Sequence, residues 1–348
     1  MRIGIIGGGI SGLYLASLLK KDHEVFIIEK KNWGGDIQHC HIENKCYPVS
    51  TVFVMPTDRL LKKTIKKLNI STVPVNTPLI YLVVCVIILT ICWIVCVLFF
   101  RSKQFILPLT LCVGITVVAI ILYIKNYMCS LVLKFGARED CGSMMEVYNF
   151  NPYSLYKGLS APIEYPLGCG MSAIVDSFLH SDTITYLDSS VINIIRGKNH
   201  LTIKLQNGED IVVDKCVITC KYTDYSSFIE LSKHEKEVLS GIEYFDFYST
   251  LIRVSGEGIP FIPNSLGNFK LDPKTYLIAS HTPNLYIDSA LYVFKKTYHW
   301  RMPEIPDRTS GILMNKETNR TLYFAGKEMA GNGVNKCMEY ALLVSRML

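Results

Sequence analysis

Gly7, Gly9 and Gly12 stand in the spacing G-x-G-x-x-G, and Glu29 follows twenty residues after Gly9. This set of residue types suits one task, holding the diphosphate and a ribose of a dinucleotide. The first glycine permits a tight turn, the second lets a phosphate approach the backbone, and the third lets a helix pack closely on the preceding strand. The N–H groups that open the helix, around Ile10 and Ser11, then face the phosphates. Glu29 is placed to accept hydrogen bonds from ribose hydroxyls, a contact that a 2′-phosphate would repel. Lys30 and the glycine pair Gly34-Gly35 extend the candidate site. Other groups point to no second chemistry. His39-Cys40-His41 with Cys46 offers zinc donors, but adjacent residues on a strand point to opposite faces, so no metal is expected. Cys216 and Cys220 have the even spacing of packed thiols on a strand, and Ser11 belongs to the phosphate turn rather than to a hydrolase. No Ser/His/Asp order and no paired carboxylates stand out. Lys295 and Lys296 read as surface lysines, and the catalytic residue stays unassigned.

The elements around the glycines are those the task needs. Arg2–Ile6 is a short apolar strand, Ser11–Lys21 has helical spacing, and Glu24–Glu29 is a second strand. Met1-Arg2 opens directly into the first strand, so no signal peptide is expected. The fold class is therefore α/β, with a Rossmann-like domain built on a parallel sheet. A net charge of +6 over 348 residues, with no dense Lys/Arg stripe, excludes nucleic acid as the partner. A mean hydropathy of +0.26 with 19% charged residues excludes a disordered chain. Much of that hydropathy is local. Leu79–Phe100 and Phe105–Ile124 carry no charge, and each is long enough for the ~30 Å hydrocarbon core, which takes about 20 helical residues. Only Arg101-Ser-Lys-Gln104 separates them, so they read as a transmembrane hairpin with the lipid bilayer as partner. Arg59, Lys62, Lys63, Lys66 and Lys67 before it, and Lys125, Lys134 and Arg138 after it, put the globular body on the cytosolic side. Lys62–Lys67 reads as the solvated face of a helix beside an anionic membrane surface. Of the 12 cysteines, four (Cys85, Cys92, Cys96, Cys112) fall in the apolar runs and none forms CxxC, so reduced thiols are expected.

The glycine pair after Glu29 resembles the segment that follows the ribose acid in glutathione-reductase-like FAD oxidoreductases, particularly the flavin amine oxidases, protoporphyrinogen oxidases and phytoene desaturases. Two features depart from that pattern: the interval from Glu29 to Gly34 is one residue short, and Asp36 stands where an Arg is common. Leu322–Ala341 is similar to the closing FAD segment of the same superfamily, its Gly-x-Gly-Val-x-x-Cys run (Gly331 to Cys337) most like that of protoporphyrinogen oxidases. The acid common after Ala325-Gly326 is shifted one place to Glu328 by Lys327. Tyr165–Asp176 resembles the glycine-bearing turn before the returning helix, Ile184–Val191 the strand that meets the adenine, and Ile211–Cys220 the returning strand. Val191–Ile195 and Leu201–Leu205 are amphipathic strands, with Asn207-Gly208 as a hairpin turn after them.

The resemblance implies FAD as cofactor, with Gly7, Gly9, Ile10, Ser11, Gly12, Glu29, Lys30, Gly34, Gly35, Val191, Gly326, Gly333 and Val334 as its binding residues. It also implies hydride transfer to flavin from a substrate; a hairpin at this point would either hold the cavity mouth at the bilayer for an apolar substrate or serve as a simple tether. The implied organisation is 1–76 and 127–225 as FAD-binding segments, 77–126 as the hairpin (79–100 and 105–124), 226–303 as a reduced substrate domain, and 304–348 as the last FAD segment. The alternatives are a non-catalytic or scaffolding relative and a flavin-dependent nucleotide-sugar mutase, which would need an arginine pair that is not visible.

Overall fold

The computed structural model describes residues 1–50, 53–74, 163–179, 181–256, 267–283, 285–303, 308–316 and 320–348, with eight isolated positions between 87 and 118. The chain opens with β1 (Arg2–Ile6), α1 (Ile10–Leu19) and β2 (Glu24–Glu29), the βαβ unit expected. β3 (His39–Ile42), β4 (Lys45–Pro48), α2 (Arg59–Lys67) and β5 (Thr72–Pro74) follow. The chain returns through β6 (Glu164–Pro166), α3 (Gly170–Phe178), β7 (Ile184–Asp188), β8 (Val191–Arg196), β9 (Leu201–Leu205), β10 (Asp210–Val213) and β11 (Lys215–Ile218). Next come α4 (Tyr222–Tyr225), α5 (Lys233–Ser240), β12 (Tyr244–Val254), β13 (Gly267–Lys270), β14 (Thr275–Ser280) and β15 (Tyr292–Pro303). α6 (Arg308–Asn315), β16 (Leu322–Phe324), α7 (Lys327–Ala330) and α8 (Val334–Ser345) close the order.

Five strands form a parallel sheet in the order β16-β11-β1-β2-β7. Ile3, Ile5 and Ile27 at its centre are fully buried, as strands covered on both faces must be. α1 and α8 pack side by side against it. The antiparallel sheet β10-β9-β8 comes so close that Ile203 of β9 sits 2.7 Å from where a Cβ on Gly4 would be. A second, four-stranded antiparallel sheet runs β13-β14-β12-β15. Its core of Phe247, Leu251, Leu277, Ala279 and Trp300 includes Cys40, Tyr47, Val49, Phe53 and Met55. The β3–β4 hairpin thus packs with the antiparallel sheet, while Ile229, Leu231, Leu239 and Ile242 pack with the parallel one.

Two local expectations change. Ile211–Cys220 is not one strand. It breaks at Asp214, whose Oδ2 accepts from the backbone N–H of Arg2 at 2.7 Å, and there the chain passes from β10 in one sheet to β11 in the other. The thiols are not all reduced. Cys46 at the hairpin and Cys169 just before α3 form a disulfide across 123 residues, with Cα atoms 5.5 Å apart. Local cysteine spacing carries no trace of a pairing that only the tertiary fold creates. Cys40, Cys216, Cys220 and Cys337 are free.

The expected hairpin, 79–100 and 105–124, lies outside the described residues apart from those isolated positions. Among the described residues no helix is long and apolar enough to cross a membrane. β5 and β6 pair antiparallel, Thr72 with Pro166, Val73 with Tyr165 and Pro74 with Glu164. The described residues on either side of 75–162 are therefore held at neighbouring backbone positions.

Candidate functional site

A cavity of about 680 Å³ opens at the carboxyl ends of β1, β2 and β11, between the parallel sheet and the four-stranded antiparallel sheet. Ligands of open α/β sheets collect at such strand ends. Of the thirteen residues expected to bind cofactor, Gly7, Gly9, Ile10, Ser11, Glu29, Lys30, Gly34, Gly35, Val191, Gly333 and Val334 line it. Four stretches far apart in sequence thus meet at one space. Gly12 and Gly326 do not line the cavity, and the reason is packing. A Cβ on Gly12 would lie 2.1 Å from the carbonyl oxygen of Gly7, and one on Gly326 would lie 2.5 Å from that of Thr219. These two glycines bring helix and strand together; they do not touch a ligand.

Gly7 has φ +110°, and the hydroxyl of Thr219 donates to the carbonyls of Ile6 and Gly7 at 3.0 and 2.9 Å, holding the turn from β11. Gly9 differs from both neighbours. It precedes α1 with φ −72° and ψ 175°, and a Cβ there would meet only Gly35 Cα, at 4.0 Å. The protein leaves this space open. Gly34 and Gly35, at φ +93° and +60°, bring their loop against the turn, and Gly34 N–H donates to Gly8 O at 2.8 Å. The N-caps of α1 and α8 are Gly9 and Gly333, which have no side chain to accept from the helix-opening N–H groups at the cavity wall. Unsatisfied helix-opening N–H groups favour an anion or an oxygen-rich ligand. The residues present therefore fit a dinucleotide.

Glu29 has a role that spacing did not reveal. Its Oε2 accepts from Gly8 N–H at 2.6 Å, and its Oε1 accepts from Lys31 and Asn32 N–H at 2.9 and 3.3 Å. The carboxylate ties the glycine turn to the following loop. Carboxylate oxygens have spare lone pairs, so contact with a ribose hydroxyl remains open to it.

The two charge departures are partners. Lys327 Nζ lies 2.5 Å from Asp36 Oδ2, joining the Gly34-Gly35 loop to α7. Burial pushes the Asp36 carboxyl up, but the Lys327 charge and hydrogen bond, helped by Lys221, hold it below the usual range. Burial and the Lys327 charge depress Lys221 in turn. Glu328 is 3% exposed, accepts from Tyr222 N–H at 2.6 Å and from the hydroxyl of Tyr244, and its pKa is pushed up by burial to about 8. The cavity wall thus carries a fixed ion pair, a second cation and a carboxyl that is neutral at neutral pH. None of Lys221, Lys327 and Glu328 was assigned a binding role from sequence; the signal was Lys327 displacing the acid to Glu328.

Cys216 is buried with its thiol pushed up to about 12 by burial, as a packed thiol should behave; burial also raises Cys220, but that residue is half-buried and lines the cavity. Lys295 donates to Leu285 O at 3.0 Å and Lys296 lies over the Tyr298 ring; neither lines the cavity. The ground for setting metal aside holds for Cys40 alone. Cys40 is buried, whereas His39 and His41 share the exposed face of β3, and Cys46 pairs with His41 across the hairpin.

Residues 5–55 match a family described as the NAD(P)-binding Rossmann-like domain. No curated protein matches the chain. Among solved structures, the CLA-producing fatty acid isomerase from P. acnes is similar, with a TM-score of 0.65 at 13% identity, over 99% of this chain and 98% of that one. At that identity the likeness is one of fold. The chain carries a Rossmann-type dinucleotide-binding domain within a fold that it shares with that isomerase.

Proposed function

We propose that this chain is an FAD-dependent oxidoreductase, related in kind to the amine oxidase and protoporphyrinogen oxidase group, that acts on a lipophilic substrate at a membrane. The observation that carries the reading is the single cavity. The diphosphate turn, Glu29 and the start of α8 open onto the same space as Phe247, Trp300 and Met302 from the antiparallel sheet. A plain NAD site needs only the first βαβ unit; the glycine pair and the C-terminal helix support FAD. Gly9, Ile10 and Ser11 would hold the diphosphate, Glu29 a ribose, and Gly333 and Val334 the flavin end. Bound there, FAD would supply two-electron redox chemistry. The aromatic wall of Phe247 and Trp300 would exclude water from the substrate. The Asp36–Lys327 pair would fix the loop that carries Gly34-Gly35, and neutral Glu328 would present a carboxyl without placing charge beside an apolar molecule.

Membrane attachment is part of this reading, with residues 79–100 and 105–124 as the hairpin and the body on the cytosolic side. Support comes from its composition and from Ile87, Ile88, Ile91, Ile94, Val95 and Val118, which are helical and between 42% and 55% exposed. That the structural neighbour acts on a fatty acid supports an apolar substrate for this fold. The test is the absorbance spectrum of detergent-purified protein, followed by anaerobic reduction with apolar donors in liposomes. A flavin spectrum bleached by an apolar donor is expected. A colourless chain that takes up no flavin would refute the reading and leave a scaffold.

A further inference from the structure

We propose that His39, His41, Cys46 and Cys169 form a zinc(II) site in the reduced protein, and that the Cys46–Cys169 disulfide is its oxidised, metal-free state. One donor atom from each of the four residues lies within 4.8 Å of every other. Zinc takes Cys sulfur at about 2.3 Å and His nitrogen at about 2.0–2.1 Å in a tetrahedron, whose edges are then roughly 3.3–3.8 Å. The longest separation exceeds such an edge by about 1 Å, and reduction would let the two bonded sulfurs move apart to theirs.

The fold explains why these four converge. His39 and His41 are two apart on β3 and so share a face, and Cys46 stands opposite His41 on β4. Cys169 precedes α3 as its N-cap residue, where the helix dipole stabilises a thiolate. A further contact arranges a ligand. Ser172 Oγ, on α3, lies 2.8 Å from His39 Nδ1, which fixes that ring and leaves Nε2 for an ion. Both histidines are exposed and both cysteines half-buried, so an ion has an entry path. Two thiolates neutralise a divalent charge, and a tetrahedral S₂N₂ set selects zinc over magnesium or calcium.

The site clips the β3–β4 hairpin, just after Gly34-Gly35, to the start of α3. Oxidation would undo the clip. Hydrogen peroxide takes two electrons from the pair of zinc-bound thiolates. The S–S bond forms, the O–O bond breaks, two protons are taken up, two waters leave and zinc(II) is released.

The test uses the full-length chain in detergent, reduced with a phosphine and then freed of reductant. Cobalt(II) serves as the optical probe and zinc(II) as competitor. One cobalt per chain is expected, with thiolate charge-transfer bands and tetrahedral d–d bands that zinc abolishes, and with metal release on adding peroxide. His41→Gln and Cys169→Ser should each weaken zinc binding at least tenfold. His41 is exposed, so His41→Gln should keep the fold even if loss of the disulfide in Cys169→Ser weakens it, and a thermal melt checks both. Failure of the reduced wild type to bind either metal, or equal zinc affinity in wild type and both variants, would overturn the proposal and leave only a structural disulfide.

Discussion

Gly9→Ala separates ligand binding from folding at the dinucleotide turn. Gly9 has φ −72° and ψ 175°, which alanine adopts without strain, and its new Cβ would meet nothing nearer than Gly35 Cα at 4.0 Å. Exchanging glycine for alanine before a helix costs about 0.5–1 kcal/mol. Stiffening the unfolded chain returns about 0.4–1 kcal/mol. The melting temperature should therefore move by no more than a few degrees. The ligand fares differently. A methyl group in the open space holds the diphosphate beyond hydrogen-bond reach of the N–H groups that open α1. Losing two charge-assisted bonds of ~1.5–3 kcal/mol each weakens FAD by more than ~100-fold. Gly12→Ala is the control. Its Cβ would meet Gly7 O at 2.1 Å and Thr219 Oγ1 at 3.1 Å, so α1 must lift from β1, and stability should fall by ~3 kcal/mol or more. Far-UV melts and quenching of flavin fluorescence read the two effects apart. Undiminished FAD affinity in Gly9→Ala would refute the assignment of this turn to the diphosphate.

Asp36 and Lys327 should show coupling in a double-mutant cycle of Asp36→Asn and Lys327→Met; because the Asp36 side chain is 38% exposed, solvent limits it to ~1 kcal/mol. The Asp36 carboxyl is depressed, so this contribution is present above the unfolded-state value near 4 and disappears as pH falls through the folded one; a cycle showing coupling at pH 3 equal to that at pH 7 would remove the ion pair. Glu328 has the opposite sign: raised by burial to about 8, it favours folding fully below ~4.5 and loses that contribution as pH rises to about 8, so stability should fall across this window. Glu328→Gln should flatten that part of the melting-temperature profile, and an unchanged slope would dismiss the neutral carboxyl. Removing residues 75–162 and joining Pro74 to Ile163 through a short linker should release a body that stays in solution and binds FAD, because β5 and β6 are paired there. Sedimentation with vesicles after a salt wash would show a second membrane contact.

The sequence made the parallel sheet legible where local rules suffice. Ile3–Ile6 and Val25–Ile28 are continuous apolar runs flanking a glycine turn, and both became central strands with the acid at the end of the second. Where a residue's partner is far along the chain, local rules fail. Asp214 looks like one more position in a strand, yet it stops the strand because its carboxylate is taken by the N–H of Arg2, 212 residues earlier. The β3–β4 hairpin has no local sign that its apolar face belongs with Phe247 and Trp300 rather than with β1.

The site was legible to the same degree. The glycines named themselves, because positive φ at Gly7 and the 2.1 Å approach at Gly12 exclude any other residue. Charges did not, because a charge means little until its counter-charge is located. Taken singly, Asp36 and Lys327 each depart in sign from the FAD oxidoreductase pattern that the sequence resembles. Taken together they are one ion pair across 291 residues, and the two departures cancel. Single replacement at either position would leave a charge facing the cavity without this partner, so the effects of changing these two residues should be coupled. The charge swap Asp36→Lys with Lys327→Asp should accordingly keep the loop and FAD binding, while either half of the swap, by placing like charges in contact, should lose both.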